Sequence, residues 1–326
     1  MNAILHYESY DKMPVVSFGY WNETLEKWAA EKHIDIKDWQ GYMNEGDGGD
    51  ADRRIMDKLG FDLCWTCRFG GDAYLDPCFD EKILEELPDG QIKKIDRAGA
   101  IVIVKPGVVS IPAEVGHTLV DRASYEALYK EKMQFSHARI DYAELEELKN
   151  APPSDLPVGL SCGSLLGNIR NYMGVEGLAY MYCDDPDLFI EILNTQGELC
   201  YQNTKHILEK FDGFDFAHYW EDVCFKNGPL IVPQVFDEYI GPHYKRISDL
   251  LLSHGIDIVS VDCDGIIDSL IPTWFNNGVN TMFPIEVGTW DASIAPWREK
   301  YGKGLRGIGG MNKTVFAQDK KAIDRE

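Results

Sequence analysis

The feature that most constrains the fold is a regular alternation of short apolar runs with longer helical patterns over the second half of the chain. Strands are predicted at 157–162, 213–218, 256–261, 279–285 and 305–309. Helices are predicted at 164–172, 185–211, 233–254, 266–277 and 289–301, and a last one runs into the terminus. Strands that alternate with helices pair in parallel through helical crossovers. The pattern therefore predicts an α/β fold with a parallel sheet.

The spacing of the last units favours a (β/α)8 TIM barrel. Asp264 and Glu286 are 22 positions apart, and Gly309 follows 23 positions later. This period fits one βα unit of a barrel, and the units are too unlike in sequence for a solenoid. The alternative is a doubly wound open sheet, but no Gly-x-Gly-x-x-Gly follows any predicted strand.

The first half of the chain is less regular. The main predictions are a strand at 13–18, a helix that begins with Asn22 as its N-cap, a helix from about 51 to 59 that ends at Gly60, a strand at 61–67 and a strand at 99–105. We interpret residues 1–326 as one domain, with about 70–115 as an inserted hairpin excursion from an N-terminal part of the barrel.

The composition excludes several classes of partner. The chain has 54 acidic and 32 basic residues, a net charge of −22, so nucleic acid and anionic lipid are unfavourable partners. No run of about 18 apolar residues predicts a membrane-spanning helix. The first residues lack the layout of a signal peptide, and the eight cysteines are scattered. A cytoplasmic protein with reduced thiols is expected.

Acidic residues follow three of the predicted strands. His218, Glu221 and Asp222 end the first, Asp262 and Asp264 the second, and Glu286 the third. The carboxyl ends of the strands are where catalytic groups gather in barrels. We expect these six residues to surround one cleft.

All of these residues except Glu286 have a simpler explanation as well. Asp262 and Asp264 would project from the same side of an extended segment as two oxygen ligands, but Asp264 could also cap the next helix. His218 could be a core histidine. Glu286 follows a strongly apolar strand, where an unpaired carboxylate would be costly. It should therefore have a raised pKa or a cationic partner, which suits acid/base chemistry or metal binding.

Other candidates are less specific. The aromatic residues Tyr20, Trp21, Tyr219 and Trp220 could wall an apolar substrate pocket or serve routine packing. Arg170, on a predicted helix, could contact substrate or form a surface salt bridge. Cys64 and Cys67 form a Cys-x-x-Cys without a second pair at zinc-site spacing, so core thiols are the better interpretation.

Several segments together resemble the uroporphyrinogen decarboxylase-like superfamily. They are Pro14 to Trp21, Gly163 to Gly174, His218 to Asp222, Asp262 to Gly265, Phe283 to Glu286 and Ile308 to Lys313. The resemblance implies a (β/α)8 barrel with its site at the carboxyl ends of the strands. It also implies one of two chemistries, which are porphyrinogen decarboxylation and methyl transfer involving a corrinoid protein.

Three departures from that family pattern matter. Met13 to Trp28 contains no arginine to pair with a polycarboxylate porphyrinogen. Where methyltransferases of the superfamily carry a zinc-binding His-x-Cys, this chain has Asp262-Cys263-Asp264. Carboxylates hold zinc and also harder cations. The family pattern continues with a final strand segment, whereas this sequence stops in a helix-like stretch, so a last unit is expected to be lacking or outside the sequence.

The resemblance and the missing arginines together predict a methyltransferase that moves a methyl group between a small substrate and a corrinoid protein. Its expected catalytic groups are His218, Glu221 and Glu286. A divalent cation, zinc first, would be held by Asp262, Asp264 and Glu286. One alternative is a decarboxylase or other lyase that acts on a small carboxylic acid. Another is a non-catalytic barrel that binds a cationic ligand. A homodimer is suggested only by likeness to the family.

Overall fold

The computed structural model describes residues 1–17, 19–65, 69–107, 111–152 and 156–326. The strands are β1 (Val16–Ser17), β2 (Leu63–Cys64), β3 (Phe69–Gly70), β4 (Lys82–Glu86), β5 (Ile92–Ile95), β6 (Ala100–Val104), β7 (Ala113–His117), β8 (Gly159–Ser161), β9 (Phe216–Trp220), β10 (Cys224–Phe225), β11 (Gly228–Pro229), β12 (Val259–Asp262), β13 (Thr281–Ile285) and β14 (Arg306–Gly309).

The α-helices are α1 (Asn2–Leu5), α2 (Asn22–Ala30), α3 (Ile36–Trp39), α4 (Tyr42–Glu45), α5 (Asp50–Leu59), α6 (Arg122–Ser124), α7 (Tyr142–Lys149), α8 (Gly167–Asp184), α9 (Pro186–Leu208), α10 (Pro233–Val235), α11 (Gly241–Ser253), α12 (Ile271–Asn276), α13 (Ile294–Tyr301) and α14 (Lys320–Ile323). Short 3₁₀ segments lie at Glu131–Met133, His137–Arg139, Gly302–Gly304 and Lys313–Ala317, and π-helical turns at Tyr125–Tyr129 and Phe236–Ile240. Within the described ranges, no helix has both the length and the apolar character needed to cross a membrane.

The centre of the fold is a parallel sheet of six strands in the order β14-β13-β12-β9-β8-β3. A separate parallel pair joins β1 to β2. The predicted α/β class with a parallel sheet is thus confirmed. Among the residues that the structure describes, no ladder joins β14 to β1, so the closed (β/α)8 barrel stays a prediction.

A small core indicates that the two parallel sheets face the same interior. Trp65 stacks on Phe216 with ring centroids 4.2 Å apart, and Ile258 and Phe283 are buried in the same cluster. Val16 of β1 and Ile308 of β14 also pack against it, although β1 belongs to the separate two-stranded sheet and β14 is an edge strand of the six-stranded sheet. Such curvature is what a barrel or a strongly twisted sheet requires.

The main core lies on the other face of the six-stranded sheet, under α8, α9 and α11. Helix α9 begins as its sequence dictates, because Asp185 accepts a hydrogen bond from the backbone N–H of Leu188 at 2.9 Å and Pro186 fills the first turn. Helix α8 is kinked at Gly174, where φ is +73°. Tyr219, which points outward from β9, is fully buried in this core.

Strands β4 to β7 form a separate antiparallel sheet between residues 82 and 117. The strand predicted at 99–105 is β6 of this sheet. The division of the chain into one domain with an inserted excursion at about 70–115 stays a prediction.

Some local predictions were wrong. Trp21, not Asn22, occupies the N-cap of α2, and the Asn22 side chain donates to Glu26 Oε1 at 2.8 Å instead. Helix α12 begins at Ile271 rather than near 266, so Asp264 does not cap it. The predicted end of α5 at Gly60 is confirmed, with φ of +82°. Cys67 of the Cys-x-x-Cys lies outside the described residues.

Candidate active site

Three aspartates meet where β9 and β12 end. Asp262 is the last residue of β12 and lies beside Trp220 in the ladder, while Asp222 follows β9 by two residues. One carboxylate oxygen each from Asp222, Asp262 and Asp264 lies within 4.8 Å of the others. The parallel pairing of β9 with β12 therefore brings together acids that are 40 residues apart in the sequence. We call these three residues the aspartate cluster.

The aspartate cluster carries negative charge that its surroundings compensate poorly. Burial, followed by the charges of Asp222, Asp264 and Glu286, raises the pKa of Asp262 to about 8. Burial and the neighbouring carboxylates Glu286 and Asp222 raise the pKa of Asp264 to about 6, against the opposing charge of Lys313. At neutral pH such a site favours a bound proton or a bound cation.

Asp222 enters the aspartate cluster from an unusual backbone conformation. Its φ is +51°, in the left-handed region that residues with a Cβ rarely occupy. Its Oδ1 accepts the backbone N–H of Asp264 at 3.0 Å, and its carbonyl accepts a hydrogen bond from Arg170. The sequence predicts Asp222 in the cleft but not as a metal ligand.

Glu286 stands beside the aspartate cluster with its own set of partners. Its carboxylate accepts the backbone N–H of Gly265 at 2.8 Å and the indole N–H of Trp290, and it pairs with Lys313 Nζ at 2.8 Å. The side chain is 5% exposed. The cationic partner expected for this buried carboxylate is thus Lys313. With three donors in place, Glu286 is less available as a ligand than Asp222.

His218 lies on β9, four residues before Asp222 of the aspartate cluster. Its Nδ1 is 2.7 Å from Ser260 Oγ, and this hydroxyl donates to the Ala217 carbonyl at 3.1 Å. The direction of the hydrogen bond between His218 and Ser260 depends on the imidazole tautomer. Burial lowers the pKa of His218 to about 4, so the ring is neutral.

Glu221 points away from the opening. Its fully buried carboxylate accepts hydrogen bonds from the backbone N–H groups of Leu165, Leu166 and Gly167 and from the hydroxyls of Ser164 and Tyr244. It thereby anchors the N-terminus of α8 to the end of β9. This placement does not support the predicted acid/base role.

The predicted aromatic wall is only partly assembled. Trp220 faces the opening, and the Arg170 guanidinium lies over its ring at 5.4 Å. Tyr219 is buried behind the sheet against Tyr244. Tyr20 packs edge-on against Trp28 and Tyr42, and Trp21 is 54% exposed at the start of α2.

A cavity of about 470 Å³ opens directly onto the aspartate cluster. Its lining residues are Arg170, Asp222, Cys224, Phe225, Lys226, Asn227, Asp264, Gly265 and Trp290. A second cavity, of about 370 Å³, includes Trp220, Tyr74 and Ser161 in its lining. Trp290, Phe225 and Lys313 were not named as site residues from the sequence. Of these three residues, only Lys313 could have been inferred from the sequence, because it ends the segment Ile308 to Lys313 that carried the resemblance.

The chain is similar in fold to a methyltransferase from Methanosarcina mazei. The match has a TM-score of 0.53 and 14% sequence identity, and it covers 99% of this chain and 88% of that one. No protein-family model and no curated protein matches the sequence. At this identity the likeness concerns the fold, and at that level it confirms the resemblance that the sequence motifs carried.

Proposed function

We propose that this protein is a methyltransferase that moves a methyl group between a small substrate and a corrinoid held by a partner protein. The observation that carries the proposal is the aspartate cluster, which opens onto a 470 Å³ cavity in a chain with the fold of a known methyltransferase. A cavity of this size suits a small molecule. A cytoplasmic location and a homodimer stay predictions.

The donor set of the aspartate cluster fits a divalent cation. Asp222, Asp262 and Asp264 offer three carboxylate oxygens within 4.8 Å of one another, and the raised pKa of Asp262 reflects charge that a cation would neutralise. Carboxylate oxygens suit zinc and also harder ions. A cation bound there would supply Lewis-acid polarisation of the substrate heteroatom that carries the methyl group.

The chain's own residues would orient and enclose the substrate. Trp290 and Phe225 offer apolar walls in the cavity, and the indole of Trp290 is fixed by Glu286. His218 is neutral at working pH and contacts Ser260 through Nδ1, which leaves Nε2 to donate or accept a hydrogen bond according to the tautomer. Arg170 lines the cavity, and the charge of Lys313 opposes the rise in the pKa of Asp264.

Two measurements test the proposal. Purified protein is first analysed for bound metal, as wild type and as Asp262→Ala, Asp264→Ala and Asp249→Ala variants, the last being an exposed acid on α11. The protein is then mixed with methylcobalamin and thiol or amine acceptors while the visible spectrum is followed. We expect demethylation of the cobalamin by wild type and Asp249→Ala only. No spectral change with any cation or acceptor would contradict methyl transfer.

The lyase alternative predicts an arginine that faces the cleft, and Arg170 does line the cavity. Its guanidinium, however, donates to the Asp222 carbonyl and to Asn171 Oδ1, which leaves less of it for a substrate carboxylate. Methyl transfer therefore stays our first proposal. Carbon dioxide release from a small carboxylic acid without corrinoid would favour the lyase.

A further inference from the structure

We propose that Arg170 is a positioning residue that holds Asp222 in its left-handed backbone conformation and thereby places the Asp222 carboxylate beside Asp262 and Asp264. We call this contact of Arg170 with Asp222 the clamp. Its importance rests on the proposed function of the aspartate cluster, but the clamp itself is a property of the protein alone. It can be tested without substrate, metal or corrinoid.

The chain needs a restraint where it leaves β9. The backbone N–H groups of Glu221 and Asp222 both point to the carbonyl of Asp262, at 2.9 Å and 3.5 Å, so the regular ladder ends there. Asp222 then adopts φ of +51°, a conformation that aspartate enters more readily than most residues with a Cβ but that is still less favourable than a negative φ. A strained residue of this kind persists only when its surroundings hold it.

Arg170 supplies a contact that fixes the peptide unit. One guanidinium nitrogen, Nη1, donates to the carbonyl of Asp222, and Nη2 donates to Asn171 Oδ1 at 2.9 Å. The guanidinium also lies over the Trp220 ring, two residues earlier in the chain. The side chain therefore contacts both sides of the turn at Glu221. A planar group with several donors is suited to such a contact.

The helix that carries Arg170 is itself fixed to the same turn. Glu221 accepts the backbone N–H groups of Leu165, Leu166 and Gly167 at the start of α8, so the helix and the strand end hold each other in both directions. The approach is close enough to require glycine, since a Cβ on Gly167 would lie 2.2 Å from the Glu221 carbonyl oxygen. Arg170 is thus presented from a rigid element.

The consequence is the direction of the Asp222 side chain. In the observed conformation its Oδ1 accepts the backbone N–H of Asp264 and lies near the Asp262 carboxylate. If the residue returned to a negative φ, the side chain would leave this position. Arg170 would then act on the aspartate cluster through Asp222, without contact with a bound cation.

The test compares Arg170→Met with Arg246→Met. Arg246 is a matched control, because its guanidinium also lies over an aromatic ring, Tyr201 at 4.0 Å, and donates to a carbonyl, that of Gly197 at 3.1 Å. Crystal structures and amide hydrogen exchange of residues 220–226 are the readouts. We expect Arg170→Met to move residue 222 out of positive φ and to speed exchange in this segment. Arg246→Met should leave both unchanged.

Cation affinity gives a second readout that separates the clamp from the proposed function. With Mn²⁺ as the probe, displacement of the Asp222 carboxylate should outweigh the removal of one positive charge, so Arg170→Met should weaken binding about tenfold, which is about 1.4 kcal/mol. Arg170→Lys, which keeps one donor, should recover part of it. If wild type binds no Mn²⁺ or Zn²⁺, the cation proposal fails, and the clamp is judged from the crystal structures alone. An unchanged Asp222 conformation in Arg170→Met would overturn the clamp. If Arg170→Met does not fold, Arg170→Ala, which also removes every donor, carries the same comparison.

Discussion

Lys313 pairs with Glu286 across 2.8 Å, although the lysine side chain is 60% exposed and the glutamate side chain is 5% exposed. The pair joins the end of β13 to the segment that follows β14. Hydrogen bonding to Glu286 is the largest cause of the raised pKa of Lys313. One ammonium group thus compensates the buried carboxylate of Glu286. The aspartate cluster beside it has no lysine or arginine of comparable contact among the described residues.

Replacing Lys313 with Met should destabilise the protein and strengthen cation binding. Glu286 would remain buried with two N–H donors and no counter-charge, at a cost of about 1–2 kcal/mol, between the values for exposed and fully buried pairs. The local field would become more negative, so Mn²⁺ or Zn²⁺ should bind more tightly. Urea unfolding and calorimetric titration measure the two effects. Lys320→Met, which removes an exposed pair with Asp324, is the control. Equal behaviour of the two variants would contradict the assigned role.

Replacing Glu221 with Gln should destabilise the fold strongly. The buried carboxylate accepts five hydrogen bonds, and an amide would direct two protons toward groups that are themselves donors. We expect a loss of about 3–5 kcal/mol in the free energy of unfolding. Ser164→Ala, which removes one of the donors, should cost about 1 kcal/mol. Glu209→Gln on the surface should be nearly neutral. A loss below that of Ser164→Ala would argue against the anchoring role.

The raised pKa of Asp262 predicts a pH-dependent stability. Between about pH 4 and pH 8 the folded protein holds a proton on Asp262 that the unfolded chain has released, so stability falls as pH rises through this window. Asp262→Asn removes this dependence. Relative to wild type, the variant should gain about 2–4 kcal/mol between pH 5 and pH 9. Thermal unfolding in the presence of a chelator measures it, and added Mn²⁺ at pH 8 should stabilise wild type only. Parallel pH curves would be inconsistent with a buried, charge-crowded Asp262.

His218 should act in the opposite direction on the acid side. Its folded pKa of about 4 lies below the usual 6.5, so the unfolded chain binds a proton that the folded protein excludes. Stability is therefore lost as pH falls from about 6.5 to 4. His218→Gln should flatten this loss by about 2–3 kcal/mol. Chemical unfolding at pH 4.5, 5.5 and 7 is the measurement, with the exposed His33→Gln as the control. No difference between the variants would place His218 in a more solvated environment.

The fold class was predictable because its signals are local. Apolar periodicity gives the strands and helices of the second half, and the structure places β8, β9, β12, β13 and β14 within or beside the predicted ranges. Errors occurred at helix starts, where α12 begins five residues late. Between β12 and α12 the chain forms turns, and Gly265 with φ of +96° turns there to meet Glu286. Such turns depend on partners that are distant in sequence.

The position of the candidate site was predictable, since His218 and Asp262 lie within strands, and Asp264 and Glu286 follow strands, that end at one edge of a parallel sheet. Which of its carboxylates face the opening was not predictable. A carboxylate after a strand can face the opening or the helix behind it, and that choice depends on where donors lie in the folded chain. Glu221 turned toward the start of α8, more than 50 residues earlier in the sequence.

By itself the sequence determined the alternation of strands and helices, the acidic strand ends and the absence of arginine near the first strand. Only the tertiary structure decided that Asp222 joins Asp262 and Asp264, and that Glu286 pairs instead with Lys313. The physical reason is the separation along the sequence over which each effect acts. Periodicity and capping act over a few residues, whereas the pairing of buried charges depends on groups that the sheet brings together from 27 to 57 positions apart.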